Sequence, residues 1–463
     1  MRISKLKTVY QILKTILLMQ SKFLTIALLL AVCVAQAQTQ PVPLPDDLRA
    51  LVQQANTNYP SLKQQQQLIQ ANELRTDIAR TAMRPNVNGN ASYQYVTPVA
   101  QATLPVDGVN RTLQFQPNHN VNANLGVGQT IYDWGRTNAS VKQAADNVQV
   151  LRRGLEITQQ SLAYQVAAAY YGIGFLQRSL SVQDSVIQTA GANVKLLVTR
   201  LQNGDALQYD VLTQQVRVKT AQNRKIEIQN QLERQLAVLT YLTGNLNPDI
   251  SRAMSQFSLE ATGGSATTQP YIIAEGQTAL AGNKDVQLAQ DRVRQAETDI
   301  IVNDLSGRPN LSFLGSAGFR NGYLPAINTP RFNIAAGVSL IVPIYAGKRY
   351  QLQNQAARLN LNASRYAVEN ANAQVRQSIA QLNADIRSNQ TRLANLETQV
   401  QQAQQALQIA NARLRNGVIT NVELQSAEVG VEEAKLGQLN FQYQLMLNQL
   451  ELKRLLGETL LGN

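Results

Sequence analysis

Few residues of this 463-residue chain could support catalysis. It contains one histidine, His119, and one cysteine, Cys33, and no segment matches G-x-S-x-G, H-E-x-x-H or a phosphate-binding loop. His119 lies just after Pro117 at a predicted strand start, where a polar loop-edge residue is expected. The sequence therefore predicts no catalytic, cofactor-binding or metal-ligating residue, and we expect that the protein is not an enzyme.

Two carboxylates stand out because they occupy matching positions. Asp210 follows the segment Arg200-Leu201-Gln202-Asn203-Gly204, and Glu423 follows Arg413-Leu414-Arg415-Asn416-Gly417. Each segment ends a long helical pattern with a glycine, which readily adopts the left-handed conformation that a helix hairpin needs. An acid near the start of the following helix interacts favourably with the helix dipole.

The matching positions belong to a duplication that runs through most of the chain. Tyr345 follows Tyr132 by 213 positions, and Gly457 follows Gly244 by the same distance. A constant offset indicates that one structural unit occurs twice. The predicted organisation is a first repeat at 38–245 with a helical hairpin at 135–243, a linker at 246–270, and a second repeat at 271–463 with a hairpin at 347–457.

Each repeat contains two segments in which apolar and polar residues alternate, at about 87–96, 119–131, 310–320 and 331–344. Strict alternation predicts strands with one apolar face, and segments of about ten residues are typical of transmembrane β-strands. A soluble sandwich is disfavoured because no other segment resembles a strand; 97–117 and 321–330 are predicted to be exposed loops. The residues expected to face lipid include Val121, Ala123, Leu125, Phe332, Ile334, Ala336, Val338 and Leu340.

The helical patterns are very long. Apolar residues recur at alternating steps of four and three in both repeats, which predicts left-handed coiled-coil packing. No proline occurs from Arg136 to Gln202, so this helix would be about 100 Å long at a rise of about 1.5 Å per residue. A shorter helix is predicted at about 46–83. One narrow apolar stripe cannot bury such helices alone, so they must pack side by side.

The N-terminal segment predicts export from the cytoplasm. A short apolar run from Phe23 precedes Ala35-Gln36-Ala37, which predicts a signal peptide at 1–37 cleaved after Ala37, whether translation begins at Met1 or Met19. Cys33 could be a lipid-modified cysteine, but the bulky Val32 before it favours an ordinary signal residue. The net charge of +12 includes five basic residues in 1–37, and no basic block remains that would predict a nucleic-acid partner.

These features together resemble the TolC-like outer membrane efflux proteins, over nearly the whole mature chain. The resemblance rests on the duplicated strand–strand–helical hairpin unit, on Asn58-Tyr59-Pro60-Ser61-Leu62, on Arg84-Pro85 and Arg308-Pro309, and on the two hairpin turns. It implies a mainly α fold with membrane β-strands. Three chains would form a 12-stranded β-barrel in the outer membrane, continuous with a periplasmic α-helical barrel.

The resemblance also implies a function. The homotrimer would be the outer-membrane channel of a tripartite efflux or type I secretion system, passively conducting substrates. Its partners would be a periplasmic adaptor (membrane fusion protein), an inner-membrane RND or ABC pump, and outer-membrane lipid. The alternative is a periplasmic or surface coiled-coil binding protein that forms no channel. Independently, four strands cannot close a barrel, and twelve are the smallest multiple that leaves a pore.

Site residues follow from the same resemblance. Asp210 and Glu423 would line the closed periplasmic entrance, although Ser426 replaces a second acid of the family pattern, and a helix-start role for both acids stays open. Trp134 is either an interfacial anchor or a plug between strand and helix. The hairpin tips that would dock the adaptor are Arg200, Asn203, Gly204, Arg413, Asn416 and Gly417; the predicted membrane-interface aromatics are Tyr132, Trp134 and Tyr345.

Overall fold

The computed structural model describes residues 45–106, 109–255, 257 and 280–458. The predicted signal peptide, its cleavage position and Cys33 lie outside the described residues. So does most of the predicted linker at 246–270.

A four-stranded antiparallel sheet contains strands from both repeats. Its order is β1-β4-β5-β6, so the two repeats join where β4 pairs with β5. A separate two-stranded sheet pairs β2 with β3. The strands are β1 (Asn86–Tyr95), β2 (Gln101–Val106), β3 (Val109–Gln114), β4 (His119–Tyr132), β5 (Asn310–Arg320) and β6 (Arg331–Ile341).

The strand register places the apolar residues of all four strands on one face of the large sheet. Leu125 pairs with Ala317, which in turn pairs with Ile334, and Phe319 pairs with Phe332. The large apolar side chains on this face are exposed in the single chain; Ile334, for example, is 70% exposed. The opposite face is rich in asparagine, serine and glycine, with Leu314 and Ile341 as exposed exceptions.

Two details of the strands differ from the sequence prediction. The connection at 97–117, predicted to be a loop, contains the β2–β3 hairpin, in which Val106 pairs with Val109. The two residues between them are Asp107 and Gly108, a dipeptide that strongly favours a two-residue hairpin turn. In addition, β6 ends at Ile341 rather than at 344, because Pro343 has no amide hydrogen for the strand ladder.

The helices of each repeat include two that form a long hairpin. α3 and α6 each contain 67 residues, which gives a length of about 100 Å at about 1.5 Å per residue. None of the helices in the described ranges has both the length and the apolar character needed to cross a membrane. The helices are α1 (Asp46–Asn58), α2 (Pro60–Arg80), α3 (Arg136–Gln202), α4 (Gln208–Thr243), α5 (Lys284–Ser306), α6 (Arg349–Arg415) and α7 (Asn421–Leu455).

The helix predicted at 46–83 is interrupted. α1 ends at Asn58 and α2 begins at Pro60, where proline fits the first helical position because that residue needs no amide donor. A short 3₁₀ turn at Thr81–Met83 then leads into β1. The proline therefore divides one predicted helix into two.

The helical core follows the predicted stripes. In α3, Val166, Ala169 and Ile173 are buried; in α6, Val375 and Ile379 are buried. The stripe residues of α6 pack against α7 in one hydrophobic cluster. Much of the remaining surface of α6 is exposed, so a single chain leaves a large part of this helix without a packing partner.

The passage from strand to helix is built alike in both repeats. Trp134 and Gly135 have positive φ angles of 53° and 88°, and Gly347 and Lys348 have φ angles of 59° and 63°. The two pairs are 213 residues apart, as the duplication requires. A left-handed pair turns the chain from β4 into α3 and, equivalently, from the end of β6 into α6.

Candidate functional site

The two hairpin turns end their long helices with the same hydrogen-bond pattern. Gly204 has a φ angle of 81° and Gly417 one of 73°. The amide of Asp205 donates to the carbonyl of Arg200 at 2.8 Å, and the amide of Val418 donates to the carbonyl of Arg413 at 2.9 Å. These are the bonds of a Schellman motif, which satisfies the last carbonyls of a helix. Asn203 and Asn416 occupy the preceding C-cap positions.

Arg200 connects the two turns. Its Nη1 donates to the carbonyl of Leu414 at 2.6 Å, and its Nη2 donates to the carbonyl of Asp205 at 3.1 Å. The guanidinium therefore lies at the C-terminus of α6, where a positive charge interacts favourably with the negative end of the helix dipole. Arg413, the equivalent residue of the second repeat, makes no side-chain hydrogen bond or ion pair with any described residue. The two repeats therefore differ at the tips, because only the arginine of the first repeat links the two turns.

The two predicted entrance carboxylates both lie in the first turn of a helix. The Asp210 carboxylate accepts a hydrogen bond from the Leu207 amide at 3.1 Å. The Glu423 amide donates to Thr420 Oγ1 at 3.3 Å, and that hydroxyl donates to Glu423 Oε1 at 3.3 Å. Both acids therefore contribute to helix starts in the manner of a capping box. Glu423 is exposed, so its carboxylate also faces the surroundings of the tip.

Asn421 joins the starts of α4 and α7. Its side chain is 2% exposed, and its Nδ2 donates to the carbonyl of Asp210 at 3.1 Å and to Thr213 Oγ1 at 3.0 Å. No pattern in the sequence distinguishes Asn421 from the other asparagines of the chain. Together with Arg200, it makes the two hairpins one connected unit at the tips.

A buried polar cluster lies further along the same hairpins; we call Asn193, Gln214, Arg217, Glu428 and Glu432 the cross-repeat cluster. Glu428 accepts hydrogen bonds from Asn193 Nδ2 at 2.6 Å and from Gln214 Nε2 at 3.3 Å. Arg217 forms an ion pair with Glu432, and its Nε lies 3.9 Å from Glu428 Oε2. Glu428 is 5% exposed and Glu432 is 2% exposed. The cluster joins α3 and α4 of the first repeat to α7 of the second.

Burial raises the pKa of Glu428 above its usual value, because a carboxylate loses its hydration inside the helical bundle. Hydrogen bonds from Asn193 and Gln214 and the charge of Arg217 oppose this change without cancelling it. A cavity of about 310 Å³, lined by Glu428 and Glu432, lies beside the cluster between α3, α6 and α7. Glu428 is therefore a buried carboxyl group that can titrate and that lies beside a cavity.

The sequence did carry one signal for this cluster. Glu428 occupies the three-four stripe of α7 between the buried residues Leu424 and Val431, and Gln214 follows Val211 by three positions on α4. A polar residue at such a position must either face inward or interrupt the stripe. Whether the polar side chain faces inward depends on the helix that packs against it, and the stripe alone does not identify that helix.

Aromatic residues lie at both ends of the large sheet. Near the helices, the rings of Tyr132 and Trp134 pack edge to face at 4.8 Å, and Tyr345 is 84% exposed. At the far end, His119 packs between Tyr93 and Tyr95, and its Nδ1 shares a hydrogen bond of 2.8 Å with the Tyr93 hydroxyl. His119 is therefore part of an aromatic group at this end of the sheet and not only a polar residue at a loop edge.

Comparisons with known proteins point in one direction. The family model described as "Outer membrane efflux protein" matches residues 51–245 and 276–458. Outer membrane protein TolC of Escherichia coli K12 is 23% identical over 434 residues, covering 89% of this chain and 82% of TolC. Outer membrane efflux protein BepC of Brucella suis is 20% identical over 356 residues, covering 76% of this chain and 72% of BepC.

A solved structure has the same fold. The outer membrane protein VceC from Vibrio cholerae superposes with a TM-score of 0.71 at 19% sequence identity, covering 89% of this chain and 96% of VceC. At this identity the likeness concerns the fold alone. It confirms the predicted TolC-like architecture of short strands joined to long helical hairpins.

Proposed function

This chain belongs to the outer membrane efflux protein family, and we propose that three copies of it form a channel that passively conducts substrates out of the cell. As a member of this family it is an outer membrane protein that extends into the periplasm. One relative is an efflux protein and two structures of the same fold are outer membrane channels, and we assign this chain no catalytic role.

The observation that carries the proposal is the large sheet with its two unpaired edges. Within the described residues, β1 pairs only with β4, and β6 only with β5. In lipid, an open strand edge leaves backbone groups without hydrogen bonds, so the sheet must close with other copies. Two copies would give eight strands and a filled interior, whereas three give twelve. The exposed apolar face would then meet lipid and the asparagine-rich face would line the pore.

The helices support the same assembly. Leu352, Leu359 and Tyr366 lie seven residues apart on α6, and each is more than half exposed. Apolar residues at this spacing form a coiled-coil seam, which requires a partner helix. Within the described part of the chain the seam has no such partner. A neighbouring copy in an α-helical barrel would provide one.

The hairpin turns are the proposed docking and gating end. We assign adaptor docking to the tip residues Arg200, Asn203, Gly204, Arg413, Asn416 and Gly417, and the entrance ring to Asp210 and Glu423. Tyr132, Trp134 and Tyr345 would lie at the periplasmic membrane interface, where aromatic residues are favoured. The channel would work with a periplasmic adaptor and an inner-membrane RND or ABC pump, in tripartite efflux or type I secretion.

Measuring the mass and conductance of the purified protein tests this proposal. In detergent we expect a particle of three copies, and in a planar bilayer that particle should conduct ions. A water-soluble monomer with intact helices and no conductance would contradict the channel and favour a coiled-coil binding protein instead.

A further inference from the structure

The large sheet contains two formally charged side chains at neutral pH, and they lie side by side. They are Arg320, the last residue of β5, and Arg331, the first residue of β6, which pair directly across the antiparallel ladder. Both are exposed, and both belong to the polar face, where Arg320 pairs with Asn122 of β4. A guanidinium remains protonated at any physiological pH.

This pair is unfavourable for the sheet itself. Like charges placed directly opposite each other on neighbouring strands destabilise the pairing. No acidic side chain forms an ion pair with either arginine among the described residues. The polar neighbours are asparagines, which cannot neutralise the charge. A role in holding this sheet together therefore does not explain the pair.

The position of the pair follows from the topology. β5 follows α5 and ends at Arg320, whereas β6 starts at Arg331 and leads into α6. Both arginines thus lie at the end of the sheet farthest from the helices. In the proposed trimer, on which this step depends, the polar face lines the pore, and six guanidinium groups would surround its outer mouth. The β1 strand of a neighbouring copy, which would close against β6, contains no charged residue.

We propose that this arginine ring binds the phosphate or carboxylate groups of small anions as they leave the channel. A guanidinium donates two parallel hydrogen bonds to such groups, which makes the contact strong and geometrically selective. Six positive charges around one mouth also raise the local concentration of anions. The ring would favour anionic solutes at the exit and hold them only briefly, because the mouth is open to water.

The test is block of single channels by inorganic pyrophosphate, added to the side of the bilayer that the outer mouth faces. We compare the wild-type trimer with the double variant Arg320→Gln/Arg331→Gln. The concentration for half block should rise by at least on the order of tenfold, because the variant removes all six guanidinium groups and the loss of a single strong charge-assisted contact already corresponds to about that factor. The anion-to-cation permeability ratio should fall as well. The double lysine variant should lie between the two, since it keeps charge but loses bidentate geometry.

The matched control is Arg349→Gln, which removes one exposed arginine at the start of α6, at the other end of the sheet. It should leave pyrophosphate block within error of wild type. Equal block in wild type and the double glutamine variant would overturn the arginine ring while leaving the channel intact. Block that depends on anionic lipid rather than on pyrophosphate would also overturn it, in favour of lipid phosphate. Wild-type protein that does not conduct at all would overturn both the ring and the channel.

Discussion

The buried carboxylate of Glu428 illustrates how single residues shape the helical hairpins. It occupies a stripe position that an apolar residue would fill at no electrostatic cost, and its neighbours offset only part of the cost of burying a charge. In return, Glu428 and Glu432 tie α7 to α3 and α4 of the other repeat. The cross-repeat cluster therefore links the two hairpins through polar contacts, and those made by Glu428 depend on its protonation.

Glu428 should make stability depend on pH. Because its pKa is raised in the folded protein, the folded state binds the proton more tightly than the unfolded state. The contribution of Glu428 to the free energy of unfolding should be largest below the usual glutamate pKa of 4.5 and should decrease as the pH rises through the raised value. The Glu428→Gln variant should lose most of this decrease. Denaturant unfolding of the detergent-solubilised protein, followed by helical circular dichroism, measures it.

The control for this variant is Glu433→Gln, which removes an exposed carboxylate from the same helix. It should leave the pH dependence close to that of wild type. If Glu428→Gln and wild type lose stability equally between acid and neutral pH, the buried carboxylate does not titrate as described.

Among the structural elements, the four strands of the large sheet and the long helices are the most predictable from sequence. Strict alternation locates β5 and β6 because one face of each strand is apolar and the other polar. The β2–β3 hairpin was not predicted, because Pro105 and the short apolar runs around it resemble a loop. The Asp107–Gly108 dipeptide is the one feature of this segment that indicates a hairpin turn. The long helices follow from their stripes. The cross-repeat cluster could not be predicted, since it depends on which helices meet.

Charged substitutions should distinguish the two faces of the sheet. Leu125→Arg or Val338→Arg places a charge on the apolar face and should cost assembly about 2–4 kcal/mol if the residue lies at the bilayer midplane. Asn122→Arg and Ser339→Arg, on the opposite face, should be milder. The yield of heat-modifiable trimers in outer-membrane fractions reports the difference. Equal yields of trimer for substitutions on both faces would mean that the apolar face does not meet lipid.

The link between the hairpins should hold the tips together. Arg200→Gln removes the charge-assisted hydrogen bond to the Leu414 carbonyl, a loss of about 1.5–3 kcal/mol. We expect a larger bilayer conductance, because the two turns can separate more easily. Arg413→Gln, the equivalent change in the second repeat, breaks no described contact and should raise the conductance less. Equal conductance in both variants would show that Arg200 does not restrain the tips.

At the scale of the whole molecule, the assembly would place three copies of Glu423, and of Asp210, around one axis. Like charges that converge repel, so packing and hydrogen bonds at the tips, such as those of Asn421, must hold the closed state. Their combined field should attract cations, and less so at high salt because mobile ions screen it. These effects arise only where three copies meet.

The corresponding prediction concerns ion selectivity. Glu423→Gln should reduce cation selectivity in bilayer recordings at low salt while leaving the trimer assembled. The variant keeps an oxygen that can accept from Thr420, so the helix start should survive. Unchanged selectivity and cation block would show that Glu423 serves only the start of α7.

The unpaired edges of β1 and β6 have a kinetic consequence. Each long hairpin is local in the chain, because α3 packs against α4 and α6 against α7, so a single chain can form the hairpins without a partner copy. The barrel cannot form in this way, because β1 and β6, within the described part of one chain, have no further strand of the same chain to pair with. Its closure requires encounters between separate molecules and therefore slows steeply on dilution. Before it meets two other copies, a newly exported chain would have folded helices but exposed strand edges. During that interval aggregation competes with insertion into the membrane.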